Sequence, residues 1–296
     1  MIYSNRWRLS ALALLVVALT ACGGGTSTGP SPSATPSASP QGIKTPTNLV
    51  KAGTLTFLSD TTYPPQESID TSSNKAVGFD VDVANAIAAK IGLTATIQTA
   101  DFSTIIDGLL AKKGDAIISA MSITPERSKK VAFVGYFSAG QSILVRKGNP
   151  LGITSLSDLC GRKVAVQVTT TEQDTLTAEN SGDCKSKKIT IQTFPSDVDA
   201  VQKLKIGAVD AAMDDSPVAA YYVSQDPNSF DLGGTPVQSA PEGIAVDPNN
   251  KEVLQAIQQA MLAIFADGTY HKLLVKWNLL DGEIQASQII QSPSPS

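Results

Sequence analysis

The stretch SITPER, Ser122 to Arg127, sets two hydroxyls, a proline and an adjacent acid and base three residues after the apolar pair Ile117–Ile118. Three chemistries fit such a set: an acid–base catalytic turn, a phosphate loop, or a capped helix end. Thr124 followed by Pro125 has the form of a helix N-cap with proline at the first helical position, which puts Glu126 in the first turn. The unpaired N–H groups at such an end attract an anion. Arg127 falls in the same turn, where its forked guanidinium can hold a planar carboxylate through two hydrogen bonds. Taken by itself, the stretch is equally a capped helix with a solvated arginine.

Other catalytic signatures are missing. Nothing matches GxSxG, HExxH, a GxxxxGK[ST] phosphate loop, or GxGxxG after a strand. The single histidine, His271, lies in YHKLLVKW and reads as a surface residue of a C-terminal helix. A nucleophile–base pair is therefore confined to His271, although carboxylates alone can run acid–base chemistry. No catalytic residue, metal site or cofactor is expected.

The elements that must position SITPER alternate in type. TLTFLS, Thr54 to Ser59, reads as a strand, and residues 80–91 as a helix with Val83, Ile87 and Ile91 at helical spacing. A strand at 95–99, a helix at 103–112 and a strand at 115–120 complete one βαβαβ block. A second block follows, with strands at 163–168, 188–193 and 208–213, a helix from Glu172 and another over 197–205. Two such blocks imply two α/β lobes with largely parallel sheets. Parallel α/β sheets bind ligands beyond the carboxyl ends of their strands, and SITPER stands at one.

The chain has 296 residues, 42% hydrophobic and 17% charged, with a formal charge of −4. That balance excludes a phosphate-neutralising surface, so no nucleic-acid partner is expected. At the N-terminus, Arg6 and Arg8 precede the apolar segment 9–19 and then LTAC, Leu19 to Cys22. The segment is too short to span a bilayer and has the layout of an export signal. LTAC resembles the lipobox of bacterial lipoproteins, which implies cleavage after residue 21, lipidation of Cys22 and a membrane anchor on the extracytoplasmic face. Residues 22–46, rich in Gly, Ser, Thr and Pro, read as a disordered tether, and 289–296 as a disordered tail. Cys160 and Cys184 are the remaining cysteines. In an oxidising compartment they read as one disulfide, worth roughly 3 kcal/mol on the loop-entropy model.

Several further blocks occur in order: DTTYPP from Asp60, GFDVDVANAIA from Gly78, DFSTIIDGL from Asp101, SITPER, LCGRKVAVQVTTTEQ from Leu159 and VDAAMDDSP from Val209. Over residues 50–280 the chain resembles the family 3 solute-binding proteins of ABC transporters, which bind polar amino acids. The resemblance implies a two-lobed periplasmic-binding-protein-like clamshell of type II, joined by two crossing strands, that acts as a monomer and hands an amino acid to permease subunits. By chain order lobe 1 is 47–145 plus 243–288, and lobe 2 is 146–242.

Family roles carry over to matching positions. Arg127 and Thr124 match the clamp for the ligand α-carboxylate, and Thr170 and Thr171 its donors from the second lobe. Ser122 and Asp215 match acceptors of the α-ammonium, Tyr63 and Phe102 the aromatic pair around the ligand side chain, and Asp60 a side-chain reader. Three positions depart from the family: Gln66 and Glu242 stand where aromatics are frequent, and Thr169 where glycine is usual. Gln66, taken with Asp60, Asp80, Gln167 and Asp214, points to a polar and cationic side chain in the ligand. The rival reading is an enzyme on the same fold, a dehydratase or a peptidoglycan-cleaving module; a sensing domain is a second.

Overall fold

The structure is a computed structural model and describes residues 42–289. The signal segment, Cys22, most of the tether and the tail after residue 289 lie outside the described residues. The first strand, β1 (Thr54–Ser59), is followed by a small antiparallel unit, β2 (Thr62–Tyr63), β3 (Glu67–Asp70) and β4 (Lys75–Val77). Then come α1 (Phe79–Ile91), β5 (Thr94–Thr99), α2 (Ile105–Leu110), β6 (Ala116–Ile117), the short α3 (Pro125–Ser128) and the long strand β7 (Ala132–Arg146). The second block holds β8 (Lys163–Gln167), α4 (Thr171–Glu179), β9 (Thr190–Phe194), α5 (Asp197–Lys205), β10 (Ala211–Asp215), α6 (Ser216–Gln225) and β11 (Phe230–Leu232). Strand β12 (Val237–Val246) returns to the first block, which α7 (Lys251–Ala266) and α8 (Thr269–Trp277) complete.

One continuous sheet runs in the order β5-β1-β6-β12-β7-β10-β8-β9. Its two ends are parallel trios, β5-β1-β6 and β9-β8-β10, and the middle strands β7 and β12 are antiparallel to each other and to their outer neighbours. These two are the crossing strands. Through Ala139, β7 pairs with β12 beside the first trio; from Gln141 it also pairs with β10 of the second. Gly140 lies between, closer to the middle of the strand than the boundary at residue 145 that chain order suggests.

Each lobe has its own core. In the first, α1 turns Val83, Ile87 and Ile91 onto the sheet and ends at Gly92, whose left-handed φ of 80° needs no Cβ. Helix α7 packs Ile257, Met261 and Ile264 against the same core. In the second lobe, Val164, Val166, Leu176 and Met213 form one cluster and Leu204, Ala212 and Phe230 another. Cys160 and Cys184 form a disulfide there, and Cys184 is fully buried.

Several expected bounds shift for local reasons. The strand expected over 115–120 keeps only Ala116–Ile117, because Asp115 turns its carboxylate back to the N–H groups of Val50 and Thr56 at 2.7 and 2.8 Å, and Ala120 takes a positive φ of 44°. The strand expected over 208–213 begins at Ala211, after a turn at Gly207. Strand β7 was not expected, since Gly135, Ser138, Gly140, Gln141 and Ser142 break its apolar pattern. At the ends, the Thr45 hydroxyl donates to the Ile91 carbonyl at 3.0 Å, Pro46 is buried, and the carbonyl of buried Ile289 accepts the Gly135 N–H at 3.0 Å. Residues 42–46 and Ile289 thus pack on lobe 1, against the tether and tail expected from composition.

Candidate functional site

The carboxyl ends of the parallel strands converge on the cleft between lobes. From lobe 1, β1 ends before Asp60, β2 carries Tyr63, and the segment after β6 carries Ser119, Ala120 and Ser122. From lobe 2, β8 ends at Gln167 and β10 at Asp215. They enclose a cavity with about 310 Å3 of space free of protein atoms.

Arg127 sits at one end of the cavity. The Thr124 hydroxyl accepts the Arg127 N–H at 3.2 Å, as an N-cap should, and the side chain is thereby aimed inward. The guanidinium donates to the Ser122 carbonyl at 2.8 Å and across the cleft to the Thr169 carbonyl at 3.0 Å, and it lies 5.3 Å from the Phe102 ring centroid. Thr169 holds a positive φ of 65°, the conformation that favours glycine, and its N–H is held by the Gln173 side chain at 2.7 Å. Facing it, Thr170 caps α4, and Thr171 lies 3.3 Å from Ser122 between hydroxyl oxygens. The α4 N-terminus and one guanidinium therefore meet at this end, a set suited to a carboxylate.

The rest of the wall is acidic. Asp60 accepts from the Thr62 hydroxyl at 2.8 Å and across the cleft from the Gln167 amide at 2.5 Å. Burial pushes its pKa up, against those donors. The Ser119 hydroxyl accepts the Asp60 N–H at 2.9 Å and donates to Glu67 at 2.8 Å. Asp215 occupies the N-cap position of α6 but makes no capping bond with its side chain. Its carboxylate accepts from the Tyr63 hydroxyl at 3.1 Å. Burial and the neighbouring Glu172 push Asp215 well above the carboxylate range, and burial raises Glu172.

Two further carboxyl pairs back the cavity, one of them through Glu67, which lines it. Asp80, fully buried, accepts from the Tyr136 hydroxyl at 2.7 Å and the Ala120 N–H at 3.0 Å and pairs with Glu67; burial brings it up to about 7 and pushes Glu67 well up. Asp214 pairs with Asp197, which burial raises to about 6 and which accepts from the Tyr222 hydroxyl at 2.8 Å. Burial, with the neighbouring acid at Glu67 and Asp214, favours the protonated form in each pair.

Of the candidate residues, Asp60, Tyr63, Phe102, Ser122, Arg127, Thr170, Thr171 and Asp215 line the cavity. Thr124 does not; it holds Arg127 in place from behind. Asp80 and Asp214 face neither ligand space nor solvent. Gln66 is buried too and does not soften the pocket: its amide donates to Glu242 at 2.6 Å, so the two departures from the family pattern are partners of each other. His271 is exposed and bonds Glu283 at 3.0 Å. Sequence reasoning missed Glu67, Ser119 and Glu172 as wall residues. Glu172 stands directly after Thr170–Thr171, and an acid at the second position of a helix whose cap faces the site was the available signal.

The family model described as bacterial extracellular solute-binding proteins, family 3, matches residues 55–280, nearly the whole described fold. The chain belongs to this family. Among its curated relatives, the ABC transporter arginine-binding protein 1 of Escherichia coli (strain K12) is 32% identical over 230 residues, 75% of this chain and 90% of that one. Among solved structures, an ancestral arginine-binding protein bound to arginine is 41% identical with a TM-score of 0.71, covering 76% of this chain and 98% of that chain. The ancestral amino acid-binding protein AncCDT-1, a precursor of cyclohexadienyl dehydratase, is 36% identical with a TM-score of 0.68, over 76% and 95%. This solute-binding protein has, among the described residues, no helix long and apolar enough to cross a membrane and no His/Cys/Asp/Glu group suited to a metal.

Proposed function

We propose that the protein is the extracytoplasmic receptor of an ABC importer for a cationic amino acid, with arginine as the first candidate. The observation that carries this reading is the charge layout of the cavity: Arg127 at one end, and Asp60, Glu67, Glu172 and Asp215 around the rest. A ligand taken from water into this space needs each charged end paired. Its α-carboxylate lies between Arg127 and the N-termini at Thr170–Thr171, and its α-ammonium against Asp215 and Ser122. Tyr63 and Phe102 flank the side chain, whose cation reaches Asp60 and Glu67. The arginine-binding relatives support the same choice.

Each lobe supplies part of the ligand shell, so the ligand favours the closed form over the open one. The closed surface is then what the permease recognises. Lipidation of Cys22, anchoring to the membrane, a tether up to about Gln41 and monomeric action complete the proposal. It is a receptor and not an enzyme; the dehydratase reading draws on AncCDT-1, itself described as an amino acid-binding protein.

The test is a thermal-shift and calorimetric screen of the purified protein against the twenty amino acids. Arginine or lysine should raise Tm in proportion to affinity. No shift with any of the twenty would contradict the reading, and turnover of a cyclohexadienol acid without amino-acid binding would establish the rival.

A further inference from the structure

We infer that Thr175, with Gln141 and Gln238, forms a clasp that fixes where the two crossing strands leave lobe 2, so that these residues position the lobes for ligand capture without touching the ligand. The inference rests on the receptor reading above. Helix α4 serves the cavity and the crossing strands from one face: Thr171 lines the cavity, and Thr175 follows one turn later. The Thr175 hydroxyl lies 2.8 Å from the side-chain oxygen of Gln141 on β7 and 3.0 Å from that of Gln238 on β12. Thr175 and Gln141 are buried. One hydroxyl therefore joins both crossing strands to the helix whose start faces the ligand.

The backbone beside the clasp departs from regular pairing. The register of β12 on β7 shifts between Val237 and Ala240, and Gln238 there holds a φ of 51°, in the left-handed region that a glutamine disfavours. Its side-chain bond to Thr175 keeps that conformation in place. Lobe 2 grips Gly140 as well: the hydroxyl of Ser216, the residue after Asp215, accepts the Gly140 N–H at 3.3 Å. A Cβ at Gly140 would come within 3.1 Å of the Pro236 side chain and 3.2 Å of the Val237 carbonyl, so the two strands pass closely here.

Lobe 1 fastens the other ends of the same strands. Ala139 belongs to its core, and the Tyr136 hydroxyl of β7 donates to Asp80. On β12, Glu242 accepts from Gln66, the Pro241 carbonyl accepts the Ile123 N–H at 2.8 Å, and the Gly243 N–H donates to the Met121 carbonyl at 2.9 Å. The bend is thereby confined to the junction of Ala139 with Gly140 in β7 and to Ser239–Ala240 in β12. A fixed pivot brings Arg127 and Thr171 together along one path. Without the clasp the bend spreads into lobe 2, the ligand-free lobes sample more arrangements, and the ligand must order them at a cost in affinity. Thr175 does not line the cavity, so the preference among ligands stays as it is.

The experiment compares wild type, Thr175→Val and Thr175→Ser in two measurements. The first is the ligand-free distance distribution between spin labels on Lys75→Cys in lobe 1 and Gln202→Cys in lobe 2, read by double electron–electron resonance. The second is calorimetric titration with the twenty L-amino acids. Thr175→Val should broaden the ligand-free distribution and weaken the best ligand by roughly threefold to tenfold, the worth of one buried hydrogen bond, with the rank order of ligands unchanged. Thr175→Ser, which keeps the hydroxyl, should match wild type in both. An unchanged ligand-free distribution in Thr175→Val, or a changed rank order, overturns the inference and leaves the receptor reading standing. Should Thr175→Val fail to fold, Gln238→Gly, an exposed position whose φ suits glycine, must broaden the distribution in the same way. Absence of heat with all twenty amino acids removes the receptor reading, while the ligand-free distances still decide the clasp.

Discussion

The two lobes follow one plan with different chemistry. In each, a parallel trio ends at the cleft, a capped helix starts there, and a buried carboxyl pair backs the wall: Glu67–Asp80, whose Glu67 reaches the cavity, in lobe 1 and Asp197–Asp214 in lobe 2. Lobe 1 puts forward the cation, the aromatics and two of the wall acids: Arg127, Tyr63, Phe102, Asp60 and Glu67. Lobe 2 puts forward Glu172, Asp215, the amide of Gln167 and the α4 N-terminus. Contacts across the cleft join the unlike partners: Arg127 to the Thr169 carbonyl, Tyr63 to Asp215, and Gln167 to Asp60. The wall is complete only with both lobes together, so a ligand that touches both would favour the closed form.

The largest effect should come from removing the lobe 1 cation. Arg127→Ala leaves the ligand carboxylate without its charged partner and should weaken amino-acid binding by at least about 100-fold, since truncating one side of a buried charge pair costs several kcal/mol. Tm without ligand should fall by no more than a few degrees; unchanged affinity would remove Arg127 from the clamp. In lobe 2, Cys160→Ser with Cys184→Ser should lower Tm by roughly 5–10 °C through release of the 24-residue loop, while affinity changes little. A loss of affinity equal to that of Arg127→Ala would show that the disulfide shapes the cavity itself.

The smallest effect tests the carboxyl pair of lobe 1. Asp80 titrates at about 7 when folded, against an ordinary value of 3.8, so the folded form holds a proton that the unfolded chain gives up earlier. Its contribution to stability is complete below about pH 4 and is lost as pH rises through about 7. Asp80→Asn keeps a neutral group at that point and should flatten the fall of Tm between about pH 4 and 7. An equal slope in wild type and variant would mean that Asp80 gives up its proton as early in the folded protein as in the unfolded chain.

The difference between the lobes also explains what could be read from the chain. Regular periodicity revealed β1, α1 and α5 almost to the residue, because their apolar faces are local patterns. Strand β7 escaped, since its polar breaks at Gly140 to Ser142 serve the passage between lobes and not a single core. Arg127 was legible from the N-cap that positions it. The carboxyl wall was not: Glu67 faces the cavity and Asp80 sits behind it, and only tertiary packing separates them. Gln66 and Glu242 looked like changes to the pocket, but they lie 176 residues apart and bond to each other beneath it.

The most direct test of the charge layout is calorimetric competition between L-arginine, L-glutamine and L-glutamate for the wild-type protein. Four wall carboxyls against one arginine predict that L-arginine binds most tightly and L-glutamate most weakly. Preference for L-glutamate would contradict the account, because its side chain would have to enter an uncompensated acidic pocket.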